Sequence, residues 1–251
     1  MNRYLEERLE WYDENYRIGN ALISDAQYDH LENNLLRIDP DCDYFTNKKA
    51  LPLPSLPKGE IKDFLEGLTK ITRLIIEPKI DGCAIGLQYK DGILEKAISR
   101  KGNDVTNKIK AISDVPNVIT IKGLFQVRGE LFAPSEYERP SYSQRQAGGY
   151  LRVTDSTSNH LSLCIFQIIN GKINQYESLK YLKDLGFTIP ENYTCNYTSG
   201  VEMFRKNWLE GKLFEKYPTD GIVIKINSRK LQLMREKSQG SYPYWQIAIK
   251  Y

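Results

Sequence analysis

Five short segments of this 251-residue chain place charged side chains inside or at the end of apolar runs. In chain order they are Glu77–Gly82 (EPKIDG), Arg128–Glu130 (RGE), Leu163–Phe166 (LCIF), Asp220–Lys225 (DGIVIK) and Trp245–Lys250 (WQIAIK). Burying a lysine is costly unless its surroundings are built for the charge. For any one segment, a solvated lysine at a strand end is the ordinary explanation. The alternative is nucleophilic chemistry, for which a lysine amine must lose its proton through desolvation and neighbouring cations.

The first forty residues predict a pair of helices that stand apart from these segments. The apolar face of the first helix carries Leu5, Leu9, Tyr12 and Tyr16. Gly19-Asn20 interrupts that pattern. A capping box of Ser24 and Gln27 then begins a second helix, which we expect to stop before Asp39-Pro40. We therefore predict a helical module with its linker over residues 1–50.

The remainder, residues 51–251, is predicted as a second domain built mainly of strands. A proline-rich stretch at 51–57 suits neither a helix nor a central strand. Predicted strands lie at 74–76, 84–89, 93–99, 124–133, 161–169, 221–227 and 244–249, and predicted helices at 176–185 and 200–210. Asp91-Gly92 is a strong hairpin signal between two of these strands. Because βαβ spacing is lacking, we expect an α+β fold with antiparallel sheets.

Composition excludes several classes of protein. Hydrophobic residues make up 41% and charged residues 27%, which is typical of a globular chain. No apolar stretch approaches the roughly 18 residues of a membrane span, and the N-terminus lacks the apolar region of a secretory signal. The four cysteines at 42, 83, 164 and 195 form no zinc-binding pattern. A net charge of +3 permits a polyanionic partner, and we expect a cytoplasmic location.

Taken together and in this order, the five segments resemble the signature of the covalent nucleotidyltransferases, the superfamily of polynucleotide ligases and RNA capping enzymes. The resemblance covers essentially the whole chain and is closest to the bacterial NAD-dependent DNA ligases. Three further features are similar to that family: Ile23–Leu31 (ISDAQYDHL) in the helical module, Pro54-Ser55-Leu56, and the segment Ser143–Arg152, which resembles the family's arginine-rich loop. The resemblance implies a small N-terminal helical module followed by an ATP-grasp-like nucleotidyltransferase domain.

The resemblance also implies a reaction. Lys79 matches the nucleophile that takes AMP from NAD as a lysyl adenylate and releases nicotinamide mononucleotide. The AMP then passes to a 5′-phosphate, and a nick is sealed. Lys225 and Lys250 match lysines expected beside the phosphate. The expected catalytic carboxylates are Asp81, Glu130 and Asp220. Asp81 and Glu130 would hold the ribose and the waters around a metal, and Glu130 and Asp220 would hold Mg²⁺ or Mn²⁺, directly or through water.

Nucleotide contacts follow by position in the family motifs. Glu77 is expected to accept from the adenine amino group. Phe166, where the family usually has tyrosine, would stack on adenine, and Val223 would close the other face. The remaining expected nucleotide contacts are Ser55, Leu56, Arg100, Arg145 and Arg152. The last two arginines would meet the nucleotide phosphate or the nick phosphate as bidentate donors. Nicotinamide mononucleotide is expected to contact Tyr16, Asp25, Tyr28 and Asp29, although Asn15-Tyr16 replaces the family's usual Tyr-His pair.

Other functions stay open at this point. The same chemistry could act on RNA ends, because a compact chain need not encircle B-form DNA. A capping-type guanylyltransferase is disfavoured by the helical module, and a non-catalytic binding module is disfavoured by the intact lysines. The chain stops at Tyr251, just after the last motif, so we expect either an adenylation core or a compact enzyme. A monomer acting on nicked nucleic acid, without a membrane partner, is the expected form.

Overall fold

The structure is a computed structural model that describes residues 2–17, 22–39, 42, 51, 53–54, 56–100, 102–134, 142–152, 160–169, 171–239 and 244–250. The predicted break at Gly19-Asn20 and the expected nucleotide contact Ser55 lie outside these residues. The side chains of Tyr16, Asp25 and Asp29 also lie outside the description, although their backbones belong to described helices.

Eight α-helices occur in the described residues. They are Asn2–Arg17 (α1), Asp25–Ile38 (α2), Ile61–Leu65 (α3), Thr106–Lys110 (α4), Ser143–Arg152 (α5), Gln175–Asp184 (α6), Val201–Leu209 (α7) and Arg229–Gln239 (α8). The helices α1 and α2 pack through a small core that contains Leu9 and Leu35. The predicted capping box is confirmed, since the Ser24 side chain accepts from the Gln27 backbone and the Gln27 side chain accepts from the Ser24 backbone.

In the part of the chain that the structure describes, eight strands form two four-stranded sheets. They are Leu74–Ile80 (β1), Cys83–Lys90 (β2), Ile93–Ser99 (β3), Leu124–Phe132 (β4), Ser162–Ile168 (β5), Tyr193–Cys195 (β6), Thr219–Ile226 (β7) and Gln246–Ile249 (β8). Sheet 1 has the order β6-β1-β7-β8, and sheet 2 has the order β3-β2-β4-β5. Every strand pair within them is antiparallel, which confirms the predicted α+β class.

The strand β1 is longer than the predicted strand at 74–76. Its ladder with β6 ends at Ile76, whereas its pairing with β7 continues to Ile80. Pro78 therefore sits where β1 pairs with β7 beyond its ladder with β6, and a missing N–H is tolerated at such an edge. This extension carries Lys79 on a strand opposite β7.

Sheet 2 contains the predicted hairpin. Asp91 and Gly92 have φ angles of 49° and 85°. Two successive positive φ values are the conformation of the type I′ turn that joins twisted antiparallel strands. The hairpin of β2 and β3 is therefore confirmed, and the apolar side chains of β2 and β4, such as Leu87 and Val127, belong to the core below it.

The arginine-rich segment, expected from the resemblance to be a loop, is the helix α5 instead. Ser143, Ala147 and Tyr150 recur at helical spacing and are all buried. That amphipathic pattern outweighs Gly148-Gly149, which disfavours a helix by only about 1 kcal/mol per glycine. Arg145 and Arg152 consequently stand on a packed helix. Among the described residues, none of the helices is both long and apolar enough to cross a membrane.

Candidate active site

The paired strands β1 and β7 set out most of the predicted site residues. Ile76 and Ile224 are partners across the pair and face an apolar core. Side chains alternate along a strand, so Glu77 and Lys225 face the opposite side of sheet 1. Glu77 pairs directly with Val223, which places Lys225 at a diagonal position that a long side chain can reach.

One group of charged residues, here called the nucleophile cluster, joins Lys79, Asp220 and Lys250. The Lys79 Nζ donates to Asp220 Oδ1 at 2.6 Å. The Lys250 Nζ donates to the other carboxylate oxygen, Oδ2, at 2.5 Å. The side chains of Lys79 and Asp220 are 21% and 27% exposed, so solvent reaches this cluster. Two lysines from opposite ends of the domain's sequence thus share one carboxylate.

Electrostatics at the nucleophile cluster favour an ionised Asp220. Burial alone would raise its pKa, but the hydrogen bonds and charges of Lys250 and Lys79 outweigh burial and lower it. Asp81, two residues after Lys79, behaves oppositely, because burial and the nearby charge of Asp220 raise its pKa. Asp220 is therefore a weak base that holds both lysines in place.

Glu130 on β4 faces this group from sheet 2. Burial raises the pKa of Glu130 to about 8, although the positive charges of Arg100 and Lys79 oppose the shift. The carboxyl groups of Asp81 and Asp220 add to it by repulsion. A carboxyl with this environment is poised to bind a cation, which would restore its ionised form.

A second group, here called the buried pair, consists of Glu77 and Lys225. The Lys225 Nζ donates to Glu77 Oε2 at 2.7 Å, and the side chains of Lys225 and Glu77 are only 2% and 3% exposed. Burial lowers the pKa of Lys225, while Glu77 opposes that shift and the charge of Arg128 adds to it. The sequence suggested that Lys225 lies beside Lys79 and a phosphate, but the structure pairs it with Glu77 instead.

Two further residues complete the surroundings of the buried pair. The Lys225 Nζ donates to the Phe166 carbonyl at 3.1 Å and lies 4.9 Å from the centre of the Phe166 ring. The Gln175 Nε2 donates to Glu77 Oε1 at 3.1 Å and to the same carbonyl at 3.0 Å. Gln175 escaped the sequence analysis because a lone glutamine at a helix start carries no distinguishing signal.

Close approach of backbone explains two of the motif glycines. A Cβ on Gly82 would lie 2.2 Å from the Leu131 carbonyl oxygen, and a Cβ on Gly129 would lie 2.3 Å from the Cys164 carbonyl oxygen. Only glycine permits such contacts without displacing the neighbouring strand. The glycines therefore let Asp81 and Glu130 stand next to each other across the start of sheet 2.

Comparison with known proteins identifies this arrangement. Residues 58–251 match the family described as NAD-dependent DNA ligase adenylation domain. The chain belongs to this family. The match begins after the helical module and includes all five charged segments of the sequence.

Individual relatives of this adenylation domain agree. The DNA ligase of Petrotoga mobilis is 29% identical over 305 aligned residues, which cover 99% of this chain and 46% of that protein. The DNA ligase of Cytophaga hutchinsonii is 30% identical over 223 residues, covering 76% and 33% respectively. A solved structure named Pmar-Lig_Pre has a TM-score of 0.51 at 14% identity, covers 92% of this chain and 52% of its own, and shows the shared fold alone. The chain spans about half the length of the curated relatives it matches, or less.

The remaining expected contacts are spread around the adenylation domain. Val223 is buried beside Glu77, and Leu56 is half-buried. Arg100 is exposed, and its charge acts on Glu130. The guanidinium of Arg145 lies 5.9 Å from the Tyr142 ring centre. The exposed Arg152 donates from Nε to the Gly148 carbonyl at 3.0 Å, and Tyr28 packs on the core of the helical pair.

The carboxylates of the adenylation domain are compatible with a hydrated metal ion. Among the described residues, no group of three or more metal-ligating side chains comes together. Mg²⁺ commonly keeps several waters and takes one or two carboxylates together with substrate phosphates. Glu130 and Asp220 supply oxygen ligands of that kind, and burial raises the pKa of Glu130 although the charges of Arg100 and Lys79 oppose the shift. A hydrated Mg²⁺ or Mn²⁺ is thus compatible with these residues.

Proposed function

We propose that this chain is the adenylating part of an NAD-dependent polynucleotide ligase, with Lys79 as its nucleophile. The observation that carries the proposal is the half-exposed nucleophile cluster, in which Lys79 and Lys250 converge on Asp220 within the family match. A buried or fully solvated Lys79 would suit this chemistry less well, because the amine must both meet a substrate and release a proton.

The proposed first step is an attack on the adenylyl phosphorus of NAD. A P–N bond forms at Lys79 Nζ, and the P–O bond to nicotinamide mononucleotide breaks. Before attack, the ammonium leaves Asp220 and gives a proton to solvent, which reaches Lys79. Lys250 then faces the phosphate oxygens on which charge develops, where a fixed cation lowers the barrier. A divalent ion bound at Glu130 would supply further positive charge to these oxygens.

The buried pair is proposed to recognise the base. Glu77 and Lys225 are fixed by Gln175 and by the Phe166 carbonyl, so they present one acceptor and one donor in a set geometry. An adenine edge offers the complementary amino group and ring nitrogen. The neighbouring Phe166 ring and Val223 provide apolar surfaces for its faces. This assignment gives Lys225 the role of a base contact rather than a phosphate contact.

The later steps are proposed from the family alone. The AMP on Lys79 passes to the 5′-phosphate of nicked nucleic acid, and a 3′-hydroxyl then displaces AMP. Tyr28 and its neighbours on α2 bind the nicotinamide mononucleotide half of NAD. Side-by-side sealing of a nicked DNA duplex and a nick that contains RNA measures which substrate is preferred.

Intact mass after incubation with NAD and magnesium tests the central proposal. We expect wild-type protein to gain the mass of AMP with NAD and not with ATP, and Lys79→Ala to gain none. Lys90→Ala, at the exposed end of β2, is the matched control and should react normally. Adenylylation of Lys79→Ala would show that another residue is the nucleophile, and an unmodified wild-type protein would contradict the proposed activity.

A further inference from the structure

A cavity of about 200 Å³ lies beyond the buried pair, on the far side of Gln175. Its polar walls come from the end of sheet 2, from α6 and α8, and from the residue before β8. Polar residues that line the cavity include Arg128, Gln167, Gln175, Arg229, Glu236 and Trp245. None of them except Gln175 takes part in the proposed adenylation site.

Unpartnered polar atoms concentrate at this cavity. Within the described part of the chain, five buried side-chain polar atoms lack a hydrogen-bond partner, and three belong to residues that line it. They are Arg128 Nε, Trp245 Nε1 and Gln167 Oε1. A buried polar group without a partner destabilises the fold, so three around one space call for a bound group.

The charge at the cavity wall is positive. Arg229 is paired with Glu236 at 3.3 Å, which leaves the guanidinium of Arg128 as the excess charge among the lining residues. Two of the three unpartnered atoms are N–H donors, and Trp245 is only 1% exposed. Excess positive charge together with surplus donors favours an anion rich in acceptors over a cation or an apolar ligand.

We propose that this cavity is a binding site for a small tetrahedral oxyanion of the phosphate class, distinct from the nucleotide phosphate site. Its oxygens accept from Arg128 and from the Trp245 indole N–H, and a protonated oxygen donates to Gln167. The volume of about 200 Å³ corresponds to roughly seven waters at about 30 Å³ each, which is room for such an anion together with several waters. Seating it requires side-chain adjustments of the kind that commonly accompany binding.

Gln175 is shared between this cavity and the buried pair. Gln175 lines the cavity and also donates to Glu77. An anion bound in the cavity therefore affects the buried pair through Gln175. This consequence rests on the proposed function, because it supposes that the buried pair holds the base. The existence of the anion site does not rest on the proposed function, and the experiment that tests the anion site uses no NAD.

Titration with inorganic phosphate at constant ionic strength tests the site. The chain has three tryptophans, so selective ¹⁵N labelling gives three indole N–H signals, and Trp245→Phe assigns the one of interest. We expect that signal to shift saturably in wild-type protein. Arg128→Gln should weaken phosphate binding at least about tenfold, as expected for one charge-assisted hydrogen bond. Arg73→Gln, an exposed arginine outside the cavity, makes the same charge change and should bind normally.

Two further arms separate the possible results. Calorimetry of Trp245→Phe, which keeps an aromatic ring, should show weaker binding even if Arg128→Gln fails to fold. Lys79→Ala should retain full affinity, whereas a loss there would assign the phosphate to the nucleophile cluster and overturn the proposal. An absent or unsaturable shift of the Trp245 signal would show that the cavity holds only water, which also overturns it.

Discussion

The nucleophile cluster and the buried pair each contain a lysine–carboxylate ion pair between β1 and β7, and they differ in solvent exposure. The Lys79 and Lys225 side chains both donate to a carboxylate, at 2.6 Å and 2.7 Å, yet they are 21% and 2% exposed. Exposed ion pairs contribute about 0–1 kcal/mol and exchange readily. A buried pair holds its geometry, because separating the charges leaves each without solvent. Exposure therefore suits the lysine that is proposed to leave its partner and react, and burial suits the pair that is proposed to contact the base.

The largest expected effect concerns the stability provided by the buried pair. Lys225→Met leaves Glu77 as a buried, uncompensated carboxylate, so the free energy of unfolding should fall by about 3–5 kcal/mol. Urea denaturation measures it. The double variant Lys225→Met with Glu77→Gln should lose less than the sum of the single variants, because neither charge remains. Lys212→Met is the matched control, because Lys212 donates to Glu210 at 2.6 Å but is 66% exposed. Equal losses of unfolding free energy in Lys225→Met and Lys212→Met would show that burial does not strengthen the ion pair.

The nucleophile cluster should show the reverse pattern, with a large effect on rate and a small effect on stability. Lys250→Ala removes a cation aimed at the proposed phosphate, and adenylylation should slow about 100–1000-fold. The free energy of unfolding should change by less than about 1 kcal/mol, because the Lys250 side chain is 41% exposed. Single-turnover mass spectrometry gives the rate, with Lys212→Ala as control. A normal rate would make Lys250 a solvated strand-end lysine.

The same contrast explains what the sequence could predict. Strand periodicity and the Asp91-Gly92 turn predict the strands and one hairpin, because these features follow local patterns. The motifs bring Lys79, Asp220 and Lys250 together only through the family resemblance, since the first two are 141 positions apart. Whether Lys225 meets Glu77 or a phosphate depends on strand register, which places it diagonally across from Glu77. Local rules disfavour a strand at Pro78 and a helix at Gly148-Gly149. Both residue types are nevertheless accommodated, because the edge of β1 and the packing of α5 are tertiary features.

Gln175 provides a second test of what holds the buried pair in place. Gln175→Leu keeps a similar side-chain size and removes two donors, so Glu77 Oε1 and the Phe166 carbonyl each lose one partner. The expected loss is about 1–3 kcal/mol of unfolding free energy. Gln144→Leu, at an exposed position on α5, should stay within about 0.5 kcal/mol of wild type. If the two variants match, the buried pair is held by Lys225 and Glu77 alone.

The smallest expected effect is a pH dependence that arises beside the nucleophile cluster. The pKa of Glu130 is about 8 in the folded chain, because burial outweighs Arg100 and Lys79 while Asp81 and Asp220 repel its charge. An unfolded glutamate titrates near 4.3, so between these values the folded chain holds a proton that the unfolded chain has released. Stability should therefore decrease as pH rises through this window, by up to about 1.4 kcal/mol between pH 6 and pH 7. Asp220, whose pKa is lowered, acts only at more acidic pH, where its contribution is lost as pH falls. Denaturation in EDTA isolates the carboxyl from metal, and Glu130→Gln, which cannot ionise, should flatten the dependence while Glu95→Gln leaves it unchanged. An equal slope in wild type and Glu130→Gln would place this titration elsewhere and would make Glu130 an ordinary solvated carboxylate beside the nucleophile cluster.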